Sequence, residues 1–353
     1  MITKEKLEAY CIKLLVSRGI NRGDAKITAD AILYADLRGI DSHGVMRFVT
    51  YLQRLDQGLI SRENNITTVT ESDTFAVIDG GNYIGPVAAK VAMDKAIEKA
   101  KKNVVGIALV RNNHHYGACS YYSSMALKHD MIGFTASNTA PLMAPTGGKK
   151  RLIGNNPFSF AAPAGKYNPF ILDMACSVVA AGKILLAEKN GKTIPIGWAL
   201  DKEGKPTESP YEGFEGGGML LPIGEHKGYG MAVMLDILSG VLTGSAFGTE
   251  VKAIKDFSGK GSLGTGHFMA ALNIEPILGV QFFKNRMDQL IEEIKSCPTA
   301  EDVDEIMIPG EISQRVYEER IKQGIPINRS IVNDLNELGK IVGTDDLLYI
   351  AEK

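Results

Sequence analysis

The sequence predicts a mixed α/β (α+β) protein in which helical terminal parts surround a mixed-sheet core. Three observations predict this class: a helical pattern over roughly the first sixty residues, an alternation of strand-like and helix-like runs from residue 66 to 162, and helix-like stretches after residue 311. Such alternation is typical of a sheet that is covered by helices. We therefore predict a helical N-terminal part over 1–70, a core over 71–300, and a C-terminal helical part over 301–353 that packs with the N-terminal helices.

Amphipathic helices account for the N-terminal part. Residues 3–18 place apolar side chains on one face and stop at Gly19. Asn21, with Asp24 three residues later, is typical of the start of a second helix that runs to about Arg38. A third helix is expected over 45–57.

In the core and the C-terminal part, β-branched runs predict strands and runs with helical spacing predict helices. Residues 191–225 are rich in Gly, Pro and Glu and predict a long loop region. The predicted strands cover 66–69, 75–78, 104–110, 131–136, 158–162 and 268–275, and the predicted helices cover 86–101, 118–128, 227–241, 282–295, 311–323, 329–341 and 345–352.

Composition and charge narrow the classes of function. The 353 residues are 44% hydrophobic and 23% charged, with a formal net charge of −2. Without a basic excess, nucleic acid and anionic membranes are not expected as partners, so a small-molecule ligand is favoured. The cysteines at 11, 119, 176 and 297 lie far apart and the N-terminus lacks a signal-peptide pattern, so we expect a cytoplasmic protein.

The segment Arg111–Asn112–Asn113–His114–His115–Tyr116–Gly117 follows a predicted strand and precedes a predicted helix. Adjacent histidines and asparagines at the end of a strand favour a polar site, because imidazole is the usual acid/base group near neutral pH. A loop that is merely rich in His and Asn is the alternative.

The segment Arg38–Gly44 joins two predicted helices and is unusually polar for a short connection. Ser42 and His43 could simply cap the helix that follows. Arg47 and Tyr51 share one face of that helix, one turn apart. A guanidinium at this position could clamp a carboxylate, although Arg47 alone would more often be a surface charge.

One literal dinucleotide motif, Gly259–Gly264, lacks the required context. The Rossmann fingerprint needs a buried strand before it and a helix after it, whereas the residues after Gly264 have a strand pattern. We therefore do not predict a Rossmann site. No metal site is predicted either, because the histidines show neither HxxxH spacing nor nearby carboxylate clusters.

Further polar motifs follow in order along the chain, and together they carry a family likeness. The sequence resembles the malate/L-lactate dehydrogenase family of the second type, which includes ureidoglycolate, sulfolactate and diketogulonate oxidoreductases. The likeness spans about residues 5–340 and rests on Arg38–Gly39, Ser42–His43–Gly44, Asn112, His115, Gly117, Pro141, Pro145, Gly147–Gly148, Gly154, Asn156–Pro157, Asp173–Met174–Ala175, Gly182–Lys183, Lys227–Gly228–Tyr229–Gly230 and Pro309–Gly310–Glu311.

The resemblance implies an NAD-dependent oxidoreductase, with NADP possible, whose non-Rossmann cofactor fold is of the sulfolactate dehydrogenase-like type, and it implies a homodimer. His115 matches the family's proton-transferring histidine, and His43 is a second catalytic candidate. Ser42, Arg47 and Tyr51 match the substrate site, with Arg47 suited to a carboxylate. The implied cofactor contacts are Asn138, Thr139, Asp173, Met174, Ala175, Lys227, Gly228, Pro309, Gly310 and Glu311.

The predicted reaction interconverts a 2-hydroxy acid and a 2-keto acid, most simply malate and oxaloacetate or lactate and pyruvate. Ureidoglycolate oxidation or reduction of a 2,3-diketo sugar acid is the alternative within the family, and a non-catalytic ligand-binding protein on the same fold is the alternative outside it. Three positions depart from the usual family residues: Asn113, Asn155 and His226. His226 adjoins Lys227, so the choice between NAD and NADP stays open.

Overall fold

The computed structural model describes residues 1–259, 261–344 and 348–349. Its helices are α1 (Lys4–Val16), α2 (Arg22–Leu37), α3 (Val45–Asp56), α4 (Gly85–Asn103), α5 (Cys119–Ser123), α6 (Ala181–Lys189), α7 (Pro210–Gly213), α8 (His226–Asp236), α9 (Glu275–Leu278), α10 (Val280–Lys295), α11 (Glu311–Gln323) and α12 (Arg329–Ile341). A turn of π-helix (Ile237–Val241) extends α8, and 3₁₀ turns cover Asp41–His43, Ala126–His129 and Gly248–Glu250.

The strands form two sheets, whose members are β1 (Thr67–Glu71), β2 (Phe75–Asp79), β3 (Val105–Asn113), β4 (Met131–Ser137), β5 (Pro141–Met143), β6 (Ile153–Gly154), β7 (Phe158–Ala162), β8 (Phe170–Met174), β9 (Ala199–Leu200), β10 (Met219–Leu220) and β11 (Thr265–Asn273). The large sheet has the order β1-β2-β3-β11-β4-β7-β8, and the small sheet has the order β6-β5-β10-β9. In the large sheet β2 and β3 are parallel, whereas the other neighbouring strands are antiparallel. A Rossmann fold needs a mostly parallel sheet, so the predicted non-Rossmann architecture is confirmed.

Two helical layers cover the large sheet. On one face α4 and α5 pack over Met269, Ala271 and the neighbouring apolar side chains of β3 and β4. Gly106 permits this close approach, because a Cβ there would lie 1.9 Å from the carbonyl oxygen of Ala96 in α4. On the other face α8 and the small sheet pack near Phe134, Phe158 and Phe268. The alternation of side chains along β4 and β11 separates these two cores.

The terminal helices build a third core. Val332, Leu335 and Leu338 of α12 are buried with Leu14 and Leu52 of the N-terminal helices. The chain ends therefore meet, although they are more than 300 residues apart in sequence.

The division of the chain at residues 70 and 300 stays a prediction. No helix among the described residues combines the length and the apolarity that a membrane crossing needs.

Most predicted elements are present, and the bounds of α11 and α12 match the sequence prediction. The continuous helix over 118–128 is wrong: α5 stops at Ser123 and a 3₁₀ turn follows. The Ser123 hydroxyl bonds Ser159 and the carbonyl of Ser120, and such serine bonds compete with helical geometry. The loop over 191–225 contains the short elements α7, β9 and β10. The predicted helix 345–352 lies mostly outside the described residues.

Replacing Leu335 with alanine tests the contact between the two chain ends. Leu335 is fully buried in the terminal core, so we expect Leu335→Ala to lower the free energy of unfolding by about 2–5 kcal/mol. Ile341→Ala on the same helix is the matched control, because Ile341 is 70% exposed and should change stability by less than about 0.5 kcal/mol. Urea unfolding at fixed protein concentration measures both; equal effects would contradict the packing of α12.

Candidate active site

Four strand ends that carry candidate residues lie at one edge of the large sheet. β3 ends at Asn113, β4 at Ser137 and β8 at Met174, while β11 begins at Thr265. β3 and β4 both run antiparallel to the strand between them, β11, and the alternation continues through β7 to β8. The segments that follow β3, β4 and β8, and the start of β11, therefore meet at this edge.

His115 is fixed from behind by Tyr51 of α3. The Tyr51 hydroxyl lies 2.6 Å from His115 Nδ1 and 3.0 Å from the His115 carbonyl oxygen. Both contacts are hydrogen bonds only when the Tyr51 hydroxyl donates its one proton to the carbonyl and Nδ1–H donates to the tyrosine oxygen. A longer 3.3 Å contact from the Gly117 N–H to Nδ1 competes with this arrangement and is the weaker of the two. We assign the proton to Nδ1, which leaves Nε2 as the free base.

His43 lies across from His115. The two ring centroids are 5.4 Å apart and the rings are inclined by 31°. The Ser42 hydroxyl lies 2.8 Å from His43 Nδ1, so it orients the second imidazole. Neither Ser42 nor His43 caps α3, contrary to the simpler sequence interpretation, because the Asp36 carboxylate accepts the Val45 N–H at 2.9 Å instead.

Arg47 supplies positive charge beside both histidines. Its Nε is buried and has no hydrogen-bond partner among the described residues, and no carboxylate in this part of the chain pairs with it. A buried guanidinium without an anionic partner is costly, and a bidentate carboxylate is the ligand that its geometry best fits. The arrangement is therefore suited to an acidic ligand.

The electrostatic setting keeps both imidazoles neutral in the free protein. Burial and, to a smaller extent, the charge of Arg47 together lower the pKa of His43 to about 4. Burial also holds the pKa of His115 well below its ordinary value, with smaller contributions from Arg47, His43 and His267. Because desolvation disfavours the charged form of histidine, a neutral base faces the site at pH 7.

Four of the residues predicted to contact ligands have their side chains bonded inside the protein. Asn138 donates to Asp236 and Ala246 and accepts from Gly266. Asp173 accepts the Ser120 N–H at 2.8 Å and so caps α5. Glu311 pairs with Lys295 at 2.8 Å and accepts the Ile308 N–H. Tyr51 is buried and bonded to His115. These four side chains therefore support the site through bonds within the protein.

The remaining predicted cofactor residues are exposed or half-buried, except Gly228, which is buried. The carbonyl of Pro309 accepts the Ile171 N–H at 3.0 Å, which places Pro309 and Gly310 beside β8. Thr139, whose hydroxyl donates to Asn155, follows β4. Lys227 is exposed in the first turn of α8, and Met174 and Ala175 are half-buried at the end of β8.

Among the described residues no cluster of three or more His, Cys, Asp or Glu could hold a metal ion.

Sequence reasoning missed His267 and Asp36. His267 on β11 is fully buried, stacks on Tyr116 at 4.2 Å between ring centroids and lies 2.9 Å from the Ser137 hydroxyl. A histidine in an apolar strand gives no sequence signal that distinguishes it from an ordinary core residue. Asp36 had a signal: it lies three and four residues from the buried positions Leu33 and Ile32, on the apolar face of α2.

Comparison with known proteins identifies the family. The family model for malate/L-lactate dehydrogenase matches residues 2–336. The chain belongs to this family. It is 42% identical to the malate dehydrogenase of Pyrococcus horikoshii, with 98% of this chain and 96% of that protein covered. It is also 42% identical to the L-sulfolactate dehydrogenase of Methanocaldococcus jannaschii, with 99% and 100% covered, and 33% identical to the ureidoglycolate dehydrogenase (NAD(+)) of Escherichia coli K12, with 92% of each covered.

The solved structures agree with this assignment. The sulfolactate dehydrogenase of M. jannaschii superimposes with a TM-score of 0.91 at 41% identity, covering 97% of each chain. The resemblance inferred from the ordered motifs is therefore confirmed. The protein is a 2-hydroxy acid dehydrogenase.

Replacing Arg47 with methionine tests the electrostatic account of the two histidines. We expect Arg47→Met to raise the pKa of His43 and of His115, because it removes a neighbouring positive charge. Both values should stay below 6.5, the ordinary value for histidine, because burial is the larger cause. ¹H–¹⁵N NMR of the side chains, assigned with His43→Asn and His115→Asn, follows the titration. The control is Arg151→Met, at a half-buried arginine that bonds the carbonyl of Gly218, and it should leave both pKa values unchanged. An unmoved pKa in Arg47→Met would contradict the account.

Proposed function

We propose that the protein is an NAD-dependent malate dehydrogenase that uses His115 as its acid/base. The observation that carries the proposal is the neutral imidazole of His115, with Nδ1 held by Tyr51, beside an Arg47 guanidinium that has no anionic partner among the described residues. The relative from P. horikoshii at 42% identity supports malate as the substrate. L-Sulfolactate is the second candidate, because the M. jannaschii relative is equally similar and its substrate is also an anionic 2-hydroxy acid.

Each side chain has a distinct role in the proposed reaction. Arg47 pairs with the C1 carboxylate and so fixes the orientation of C2. His115 Nε2 accepts the hydroxyl proton during oxidation and returns it to the keto oxygen during reduction. Tyr51 holds the tautomer that makes this possible. His43, oriented by Ser42, hydrogen-bonds the substrate oxygen. Binding of the carboxylate offsets the charge of Arg47, so the pKa of His115 rises when the substrate arrives.

The residues near the sheet edge fit a nicotinamide dinucleotide. Lys227 is exposed in the first turn of α8, and a lysine at the N-terminus of a helix is suited to a diphosphate. Thr139, Met174 and Ala175 lie at this edge of the sheet, and we assign them to the cofactor together with Pro309 and Gly310, which lie beside Ile171 nearer the start of β8. The side chains of Asn138, Asp173 and Glu311 support these segments through hydrogen bonds within the protein. When bound, NAD supplies the hydride acceptor. NADP is the alternative, and His226 beside Lys227 is where a preference would be set.

A second copy of the chain is the proposed partner. Along α8 and the π-turn, Met234, Ile237, Val241 and Leu242 are each about half-exposed, and Phe247 lies just beyond them. An exposed apolar surface of this kind is typical of a protein interface. Since α8 also begins with the proposed cofactor lysine, a homodimer formed through this surface would place the subunit contact near the site.

The substrate assignment is tested by absorbance of the reduced cofactor with oxaloacetate, sulfopyruvate and pyruvate, each offered with NADH and with NADPH. Oxaloacetate with NADH should give a kcat/KM above about 10⁴ M⁻¹s⁻¹, the lower end of the range for enzymes. A higher value with sulfopyruvate would transfer the assignment to sulfolactate. The proposal would be contradicted if neither oxaloacetate nor sulfopyruvate is turned over.

In the same assay His115→Asn should lower kcat by about 10²–10⁴-fold, the contribution of a positioned acid/base group. His129→Asn is the matched control, because His129 is exposed on the 3₁₀ turn after α5 and should leave kcat unchanged. Near wild-type turnover in His115→Asn would remove His115 from the mechanism.

The dimer is tested by light scattering on a sizing column. We expect a mass of twice the 38.1 kDa of one chain, and half that mass for the double variant Ile237→Asp/Val241→Asp, since two buried carboxylates would oppose association. Ile341→Asp introduces the same charge at an apolar position that is also exposed, and it should remain dimeric. A wild-type monomer, or an unchanged double variant, would exclude this interface.

A further inference from the structure

Asp36 is a buried acid that the proposed reaction does not use directly. It lies in the last turn of α2, its side chain is 1% exposed, and its Oδ2 accepts the N–H of Val45, the first residue of α3, at 2.9 Å. A charged side chain is rarely placed in such surroundings without a specific partner. Its partner is the backbone of the helix that carries the substrate residues.

The N-terminus of α3 has no cap of its own. Gly44 occupies the N-cap position and provides no side-chain hydrogen bond, so the N–H groups of the first turn need an acceptor from elsewhere. Ser42, which could have served, bonds His43 instead. The cap is therefore supplied by another helix, and it fixes α3 relative to α2.

Gly44 shows how tightly this contact is made. A Cβ on Gly44 would lie 1.8 Å from Asp36 Oδ1 and 2.1 Å from Asp36 Cγ. The backbone of the segment before α3 is therefore pressed against the carboxyl group. A side chain at residue 44 would therefore displace the Asp36 carboxyl group from the start of α3.

A second tie comes from α11. Arg320 donates to the backbone oxygen of Asp36 and to the carboxylate of Asp41. The connection between α2 and α3 is thus held at its start by Arg320 and at its end by the Asp36 carboxyl. Ser42 and His43 lie between these anchors, while Arg47 and Tyr51 follow on α3.

We propose that Asp36 is a positioning residue: its carboxyl group sets the place of α3, and thereby of Ser42, His43 and Arg47, relative to His115. The inference rests on the proposed function, because it assigns to Asp36 an effect on the binding and turnover of the 2-keto acid. Asp36 itself touches no substrate and acts through the backbone of Val45.

The protonation of Asp36 guides the choice of variants. Burial, helped by the charge of Asp41, raises the pKa of Asp36, while the Val45 N–H and the charge of Arg320 lower it, and the net pKa is about 8. The carboxyl group is therefore largely neutral at pH 7. Asparagine resembles a neutral carboxyl in size and keeps an acceptor oxygen, so Asp36→Asn should preserve the contact that Asp36→Ala removes.

The experiment combines hydrogen exchange with kinetics. In Asp36→Ala we expect the amides of residues 42–47 to exchange at least about tenfold faster, kcat to fall and KM for the keto acid to rise, by about 10–100-fold in kcat/KM, with KM for NADH unchanged. Asp36→Asn should restore all of these. The control is Asp288→Ala, which removes a carboxylate that accepts the Gly165 and Lys166 N–H groups on a remote loop and should alter none of them.

The outcomes are distinguishable. Wild-type kinetics in Asp36→Ala, or unchanged exchange at residues 42–47, would overturn the positioning role alone. Absence of turnover in the wild-type protein would overturn the proposed function and the inference with it. If Asp36→Ala fails to fold, Gly44→Ala is the second variant, because its Cβ displaces the same carboxyl group and should give the same pattern. When Gly44→Ala is combined with Asp36→Asn, the joint effect should be smaller than the sum of the two single effects, provided that the amide yields more easily than the carboxyl group. Wild-type kinetics in Gly44→Ala would count against the proposal.

Discussion

The antiparallel pairing of β11 with both β3 and β4 is the constraint on which the site depends. β11 supplies backbone partners to each neighbour over seven residues, so neither strand can shift register without exposing one face of a core. This pairing fixes the ends of β3 and β4 at one edge, where the segments after them converge. Residues separated by more than twenty positions along the chain thereby become neighbours.

The helical layer then supplies the chemistry that the sheet lacks. α3 brings a tyrosine and an arginine to the sheet edge, and the 3₁₀ turn before it brings a histidine. The Asp36 carboxyl group accepts the Val45 N–H and, in the proposed arrangement, positions the start of α3. The resulting site keeps its imidazoles neutral through burial and the charge of Arg47. In the proposed reaction, a neutral imidazole beside a guanidinium that no described carboxylate pairs with is prepared for an anionic alcohol before the ligand arrives, because neither group must reorganise.

Much of the fold could be predicted because it depends on local patterns. The periodicity of α11 and α12 gave their bounds, and Asn21 gave the start of α2 through its cap. The break after Ser123 could not be predicted, since it depends on Ser159, a residue from a distant strand. The candidate site was found largely through ordered motifs, but motifs do not separate side chains that face a ligand from those that support the site, such as Asn138, Asp173 and Glu311.

The amino-acid sequence is sufficient to predict the family, the order of helices and strands, and the residue types that can transfer a proton and bind a carboxylate. The folded chain is needed to see which nitrogen of His115 is held, which acid caps α3 and which histidine stacks behind the site. The reason is physical: helix and strand patterns arise from neighbours in sequence, whereas tautomers, pKa values and cross-element caps arise from groups that only the folded chain brings within hydrogen-bonding distance.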